Sequence, residues 1–261
     1  MVSVPGFAPF RDGYVLCFAA GTLIHTKEGL KPIEQIHVGD LVLTQPEHTG
    51  ELSYKRVTRT TRFDDAPVWS VTYFRKSELE RALAERRMMA PGAERRLVIT
   101  PNHPLWVRGK GWVQVKDLDF DQDELLLRDG EYALIAVVSP LYRSQTEQVA
   151  WQQGIFDEAV GELLDFRKGE TCEFEEYSKH KDPHSFKYWD ASCFLETVEL
   201  RDGSQLHVQK AYQPSFIDLW SEESYFRTAV HDFEVEDCHT YYVGTEGVWA
   251  HNTNCGEAVS D

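Results

Sequence analysis

Short apolar runs separated by tight polar breaks fill most of the first half of the chain. Residues 41–43, 68–73, 97–99 and 133–138 are β-prone runs punctuated by Gly, Pro, Asp and Asn, so residues 17–148 read as sheet with tight turns. One helix interrupts them over residues 78–89. Ser77 can cap it, Leu79, Leu83 and Arg86 share helical spacing, and Pro91 ends it, as a surface insertion. A second, amphipathic helix is predicted over residues 151–166, with Ile155, Phe156, Val160, Leu163 and Leu164 on one broad face. After a polar stretch at residues 167–190, Asp202-Gly203 marks a hairpin turn between residues 195–200 and 205–208. Residues 229–252 return to β character, and small or polar residues follow to position 261.

A faint internal repeat underlies the first half. Residues 29–36 and 111–118 each begin with Gly and place apolar residues at the second, fifth and eighth positions, at a spacing of 82. Two copies of one strand unit suit a pseudo-symmetric β fold.

The formal charge of -16 argues against a nucleic-acid partner, because phosphate binding needs a basic surface. Five cysteines without a Cys-x-x-Cys pair read as free thiols in a reducing compartment. The apolar stretch at residues 15–24 lacks the preceding positive segment of a signal peptide, and Tyr14-Val15-Leu16 is a poor lipoprotein site before Cys17. The run at residues 132–142 is far shorter than the ~20 residues of a membrane span. The expectation is a soluble monomer, cytoplasmic at synthesis, with export inside a larger secreted protein as a further option.

Three groups of residues carry chemistry. The first is Cys17 with its downstream Gly- and Pro-punctuated strand unit; the second is Thr100-Pro101-Asn102-His103; the third runs from Asp232 through His239 to His251-Asn252-Thr253. Each alone has a plain alternative. A cysteine beside Phe18 is often a small buried hydrophobe, Thr100 can cap a strand end, and Asp232 can accept turn hydrogen bonds. All three in this order are another matter.

The stretches CFAAGTLIHTKEGLKPIEQIHVGDLVLT, TPNHPLWVRGKGWVQVKDL and VHDFEVEDCHTYYVGTEGVWAHN resemble Hint (hedgehog/intein) domains, most closely those of bacterial polymorphic pretoxins. The resemblance implies a mostly β, horseshoe-like, pseudo-two-fold fold with a helix-containing insertion, acting on its own backbone without a cofactor. It divides the chain into an upstream flank (1–16), a first Hint part (17–148), an insertion or subdomain (149–228), a second Hint part (229–252) and a downstream flank (253–261). The insertion shows no homing-endonuclease motif, so DNA cleavage is not expected.

The chemistry then follows. Cys17 attacks the Leu16 carbonyl and converts the amide to a thioester. The resemblance assigns His103 to this step, as acceptor of the thiol proton and donor to the departing amine. Thr100 polarises the Leu16 carbonyl. Asn252 cyclises and cuts before Thr253, aided by His251 and His239, while Asp232 matches a family aspartate that couples the two ends. The partners are the flanking segments themselves. Single-turnover cleavage that releases a downstream toxin is the first expectation. Splicing, with the Thr253 hydroxyl as second nucleophile, is the alternative. A metal-binding module using His180, His184, Cys172, Cys193 or Cys238 matches no zinc spacing, and a Cys–His peptidase acting on other proteins would turn over added substrate. Inhibition by zinc near Cys17, Cys238 and His239 is a weaker expectation.

Overall fold

In the computed structural model the two copies of the repeat fold into the same unit. Each begins at a glycine of positive φ, 116° at Gly29 and 79° at Gly111, where a side chain would be strained. Each continues as a short strand and closes in a 3-10 turn, Ile33–Gln35 and Val115–Asp117. In both, the apolar fifth and eighth positions are buried: Ile33 and Ile36, Val115 and Leu118.

The residues described are 15–47, 50–90, 93–143, 147–153, 161–167, 173–175, 196–199, 205–208 and 224–252. The first half carries β1 (Phe18–Ala19), β2 (Leu23–Thr26), β3 (Gly29–Pro32), β4 (Leu41–Thr44), β5 (Ser53–Pro67), β6 (Trp69–Arg75), α1 (Lys76–Ala84) and β7 (Arg95–Ile99). Then come β8 (Pro104–Val107), β9 (Gly111–Gln114), β10 (Glu124–Leu126), β11 (Tyr132–Pro140) and β12 (Tyr142–Arg143). The remainder carries β13 (Val149–Gln153), β14 (Gly161–Asp165), β15 (Glu173–Glu175), β16 (Glu196–Glu199), β17 (Gln205–Val208), β18 (Arg227–Val235), β19 (Thr240–Val243) and β20 (Val248–His251).

A fourteen-stranded sheet runs β10-β11-β6-β7-β1-β18-β5-β4-β2-β19-β20-β8-β9, with β3 on β2. Because β10 also pairs with β8, the sheet closes on itself. A pseudo-two-fold exchanges β1 with β7, β18 with β6, β5 with β11, β4 with β10, β2 with β8 and β19 with β20. The horseshoe-like, pseudo-symmetric β fold expected from the sequence is the one that forms. The four β-prone runs of the first half fall in β4, β6, β7 and β11, and β16 pairs with β17 as anticipated. The Asp202-Gly203 turn itself lies outside the described residues, as do His180, His184, Cys172 and Cys193.

Two helical expectations change. The first helix spans Lys76–Ala84, earlier and shorter than read from the sequence, and Ser77 does not cap it. Its backbone N–H instead donates to the Glu131 carboxylate at 3.0 Å. Only Ala82 is buried and Leu83 stays exposed, so α1 is a surface element, as its polar pattern suggested. The second predicted helix is absent: residues 149–153 and 161–165 form an antiparallel hairpin, extended by β12 and β15. Gly154 just before the supposed apolar face and Gly161 within it both weaken a helix. Leu164 and Phe166, two residues apart, join the same apolar cluster, as alternate positions of a strand and its continuation do. Ile155, Phe156 and Val160 lie outside the described residues.

This hairpin matters because of what it covers. The larger core cluster fills the ring and includes Phe18, Ile24, Tyr73, Ile99, Leu105, Phe233 and Tyr241. A second cluster joins Cys17, Ala19, Val98 and Val230 of the ring to Ala150, Leu164 and Phe166 of the added sheet. Alternation along β1 explains the split, since Phe18 turns to one cluster and its neighbours to the other.

Candidate active site

The register of β1 decides what stands beside Cys17. Phe18 pairs with Ile99 on one side and with His231 on the other. One residue back, Cys17 therefore lies between Thr100 and Asp232. Hydrogen bonds bear this out on the Thr100 side. The Cys17 N–H donates to Thr100 Oγ1 at 3.0 Å, and the Thr100 hydroxyl and N–H both donate to the Cys17 carbonyl, at 3.2 and 3.0 Å. Thr100 thus grips the nitrogen side of the Leu16–Cys17 amide, rather than the Leu16 carbonyl as expected. Leu16, Cys17 and Thr100 are all buried.

The same reasoning applies to the other end. Ala250 pairs with Leu105, so two residues further Asn252 stands opposite His103. The Asn252 N–H donates to the His239 carbonyl, and its side-chain Nδ2 donates to the Phe233 carbonyl, next to Asp232. Cys17, Thr100, His103, Asp232 and Asn252 are thereby gathered from four distant stretches of chain.

His103 is fully buried, its ring 4.4 Å from that of Phe18 and 6.5 Å from that of Tyr241. Neither ring nitrogen has a hydrogen-bond partner among the described residues. Burial, reinforced by the charge of His251, pushes its pKa down to about 3, so the imidazole is neutral at pH 7. Asp232 is displaced the other way: burial holds its carboxyl up at about 7, while hydrogen bonds from the Phe233 backbone and Tyr241 pull it down. Glu234 raises it and Arg59 lowers it to a lesser degree.

His251 ends β20 and is partly buried, edge-on to Trp112 at 4.9 Å. Burial lowers its basicity, the Glu47 carboxylate raises it and His239 lowers it. His239 is exposed, and its ring lies 6.2 Å from that of His251. Its backbone, more than its ring, engages Asn252 directly. Thr253 lies outside the described residues.

Two residues escaped the sequence reading. Tyr241 is fully buried and donates its hydroxyl to Asp232 Oδ1 at 3.2 Å, with burial and the nearby Asp232 charge holding its own pKa well above the usual phenol value. Nothing in the spacing separates it from Tyr242, whose hydroxyl turns to Gln45 instead. Glu47 sits on a loop that no motif marks. Among the described residues no group of three His, Cys, Asp or Glu could hold a metal ion, and no helix is long and apolar enough to cross a membrane.

Residues 16–129, from the candidate nucleophile through the Thr100–His103 turn, match the Hint domain family. Over that stretch the chain carries a Hint domain. Autoprocessing or splicing of its own backbone is thereby supported in general. Solved structures similar to this chain include a bacterial intein-like domain from Clostridium thermocellum, at 19% identity over 92% of this chain and 100% of that one, with a TM-score of 0.49. Another is a DnaB intein from Synechocystis, at 10% identity over 92% and 99%, with a TM-score of 0.46. No curated protein matches the chain.

Proposed function

We propose that the Hint domain cuts its own backbone at Leu16–Cys17 by an N-to-S acyl shift and at Asn252–Thr253 by asparagine cyclisation, once per chain and without a cofactor. The observation that carries this reading is the register that sets Cys17 between Thr100 and Asp232 while Asn252 stands opposite His103. Residues competent for both steps share one buried site.

A thiol near pKa ~8.5 needs a proton acceptor of matched basicity. Asp232, held near 7, is better suited to that task than His103, held near 3. Neutral His103 is suited to donate an N–H to the amide nitrogen as the Leu16–Cys17 bond loosens. Thr100 keeps that amide in register through its bonds to Cys17. At the other junction Asn252 Nδ2 must leave the Phe233 carbonyl and attack its own main-chain carbonyl carbon. The bond to residue 253 breaks, Nδ2 yields one proton and the departing amine gains one. His251 is the adjacent imidazole.

In this reading the downstream product is a toxin segment and the partners are the flanks, the chain being a cytoplasmic monomer at synthesis. Splicing is the second reading, favoured by the convergence of both junction residues; it would join residues 1–16 to 253–261 with Thr253 as nucleophile. Intact-mass analysis of the chain near neutral pH, beside Cys17→Ala and Asn252→Ala, tests both. Cleavage predicts Asn252-dependent loss of residues 253–261 and thiol-accelerated loss of residues 1–16. A ligated peptide of the two flanks would favour splicing. An unchanging mass with or without thiol would refute both.

A further inference from the structure

The segment after β4 reaches across to the C-terminal junction and is tied there. Thr44 Oγ1 donates to the Thr240 carbonyl at 2.5 Å, Thr240 Oγ1 donates to the Gln45 carbonyl at 2.6 Å, and the Tyr242 hydroxyl donates to Gln45 Oε1 at 2.6 Å. Two residues beyond Gln45, Glu47 Oε1 lies 2.9 Å from His251 Nε2. The other ring nitrogen, Nδ1, is buried and has no hydrogen-bond partner among the described residues. Trp112 packs edge-on against the ring, which restricts its rotation.

From this arrangement we infer that Glu47 is the positioning residue of the C-terminal step, holding His251 in the tautomer that carries its proton on Nε2 and leaves Nδ1 as the basic atom. The inference rests on the asparagine-cyclisation reading above and adds to it a residue that acts through His251. An acceptor at Nε2 fixes the proton there, because a neutral imidazole has one N–H. Nδ1 then accepts the proton that Asn252 Nδ2 gives up and returns it to the departing amine, so that a succinimide and a free amine form with no net proton change. The pairing also offsets the loss of basicity that burial imposes on the ring. The groups facing His251 are Glu47 from the segment after β4, His239 from the turn before β19 and His103 from the turn after β7. Glu47 is the acidic one among them.

Two measurements on the full chain test this. In a Cys17→Ala, Asn252→Ala background, nitrogen-15 spectra of His251 should show the Nε2–H tautomer, and Glu47→Gln should lower the apparent pKa of the ring. Either a ring that favours Nδ1–H or a pKa unmoved by Glu47→Gln would overturn the proposal, and neither readout depends on cleavage. In a Cys17→Ala background, release of residues 253–261 should slow on the order of tenfold with Glu47→Gln and recover in part with Glu47→Asp. The acid limb of its pH profile should move to lower pH. Thiol-driven loss of residues 1–16, followed in Asn252→Ala, should stay unchanged by Glu47→Gln; equal slowing of both ends would overturn the assignment. Should the Glu47 parent release nothing while the spectra behave as stated, the cyclisation reading fails and the Glu47–His251 pairing stands.

Discussion

Exchanging Asp232 for Asn removes a titrating group from a place that water does not reach. Burial holds the carboxyl at about 7, against 3.8 for an exposed aspartate. A difference of roughly three units corresponds to ~4 kcal/mol at ~1.4 kcal/mol per unit. The folded pKa is raised, so the unfolded chain releases its proton near pH 4 while the folded chain keeps it to about pH 7. Stability from this group is complete below about pH 4 and is lost as pH rises through about 7. Asn has the same shape and does not titrate. Urea denaturation in the Cys17→Ala, Asn252→Ala background, from about pH 4 to 7.5, gives the stability of Asp232→Asn relative to its parent. That difference should climb by ~4 kcal/mol across the range, whatever its offset at the acid end. His103 acts in the opposite sense, because its pKa falls from 6.5 to about 3 on folding. Its contribution is complete above about pH 6.5 and is lost as pH falls toward 3. In the parent the two slopes oppose each other between about pH 4 and 6.5. The Asn variant should expose the His103 slope, gaining ~1.4 kcal/mol per pH unit on the way up. A difference curve flat over this range would refute the reasoning, since Asp232 would then titrate alike in the folded and unfolded chain.

Tyr241→Phe keeps the ring and removes the hydroxyl that Asp232 accepts; a bond to a charged group is worth ~1.5–3 kcal/mol, so the Asp232 pKa should rise by about 1–2 units. The midpoint of thiol-driven loss of residues 1–16 should move to higher pH by that amount, and an unmoved midpoint would reduce Tyr241 to packing. Thr100→Val deletes the hydroxyl that both accepts from and donates to the Cys17 backbone; it should cost ~1–3 kcal/mol in urea denaturation and slow thioester formation. An unchanged rate would detach Thr100 from the chemistry. Leu164→Ala opens a hole in the cluster that holds Cys17 and should cost ~2–5 kcal/mol by the same assay. A cost below ~1 kcal/mol would mean that the added sheet does not support the ring there.

The symmetry of the fold could be read from the chain because it is written in local pattern: two glycines at strained turns, each followed by the same apolar spacing. The candidate residues could be picked out for a similar reason, as Cys17, His103 and Asn252 sit in short distinctive strings. What the chain conceals arises from pairing between distant strands. The position of Cys17 between Thr100 and Asp232 is a matter of register across 83 and 215 residues. The same holds for Tyr241, indistinguishable in sequence from its neighbour Tyr242, and for Glu47, whose partner lies at the far end of the chain. The error at residues 151–166 has another cause. A short apolar run satisfies both a helical face and a strand, and the glycines before and within it were the better guide.

The closing strands of the ring are also the last to be made. β18 fills the place between β1 and β5, and β19 and β20 bridge β2 to β8, so a growing chain holds Cys17 with one side of its strand open until residues 227–251 emerge. At ~5–20 residues per second, that interval is on the order of ten seconds or more. Throughout it Cys17 has neither Asp232 nor Tyr241 beside it. On the proposed cleavage reading, the closing of the sheet serves as a clock that keeps the upstream junction whole while the ribosome still holds the downstream one.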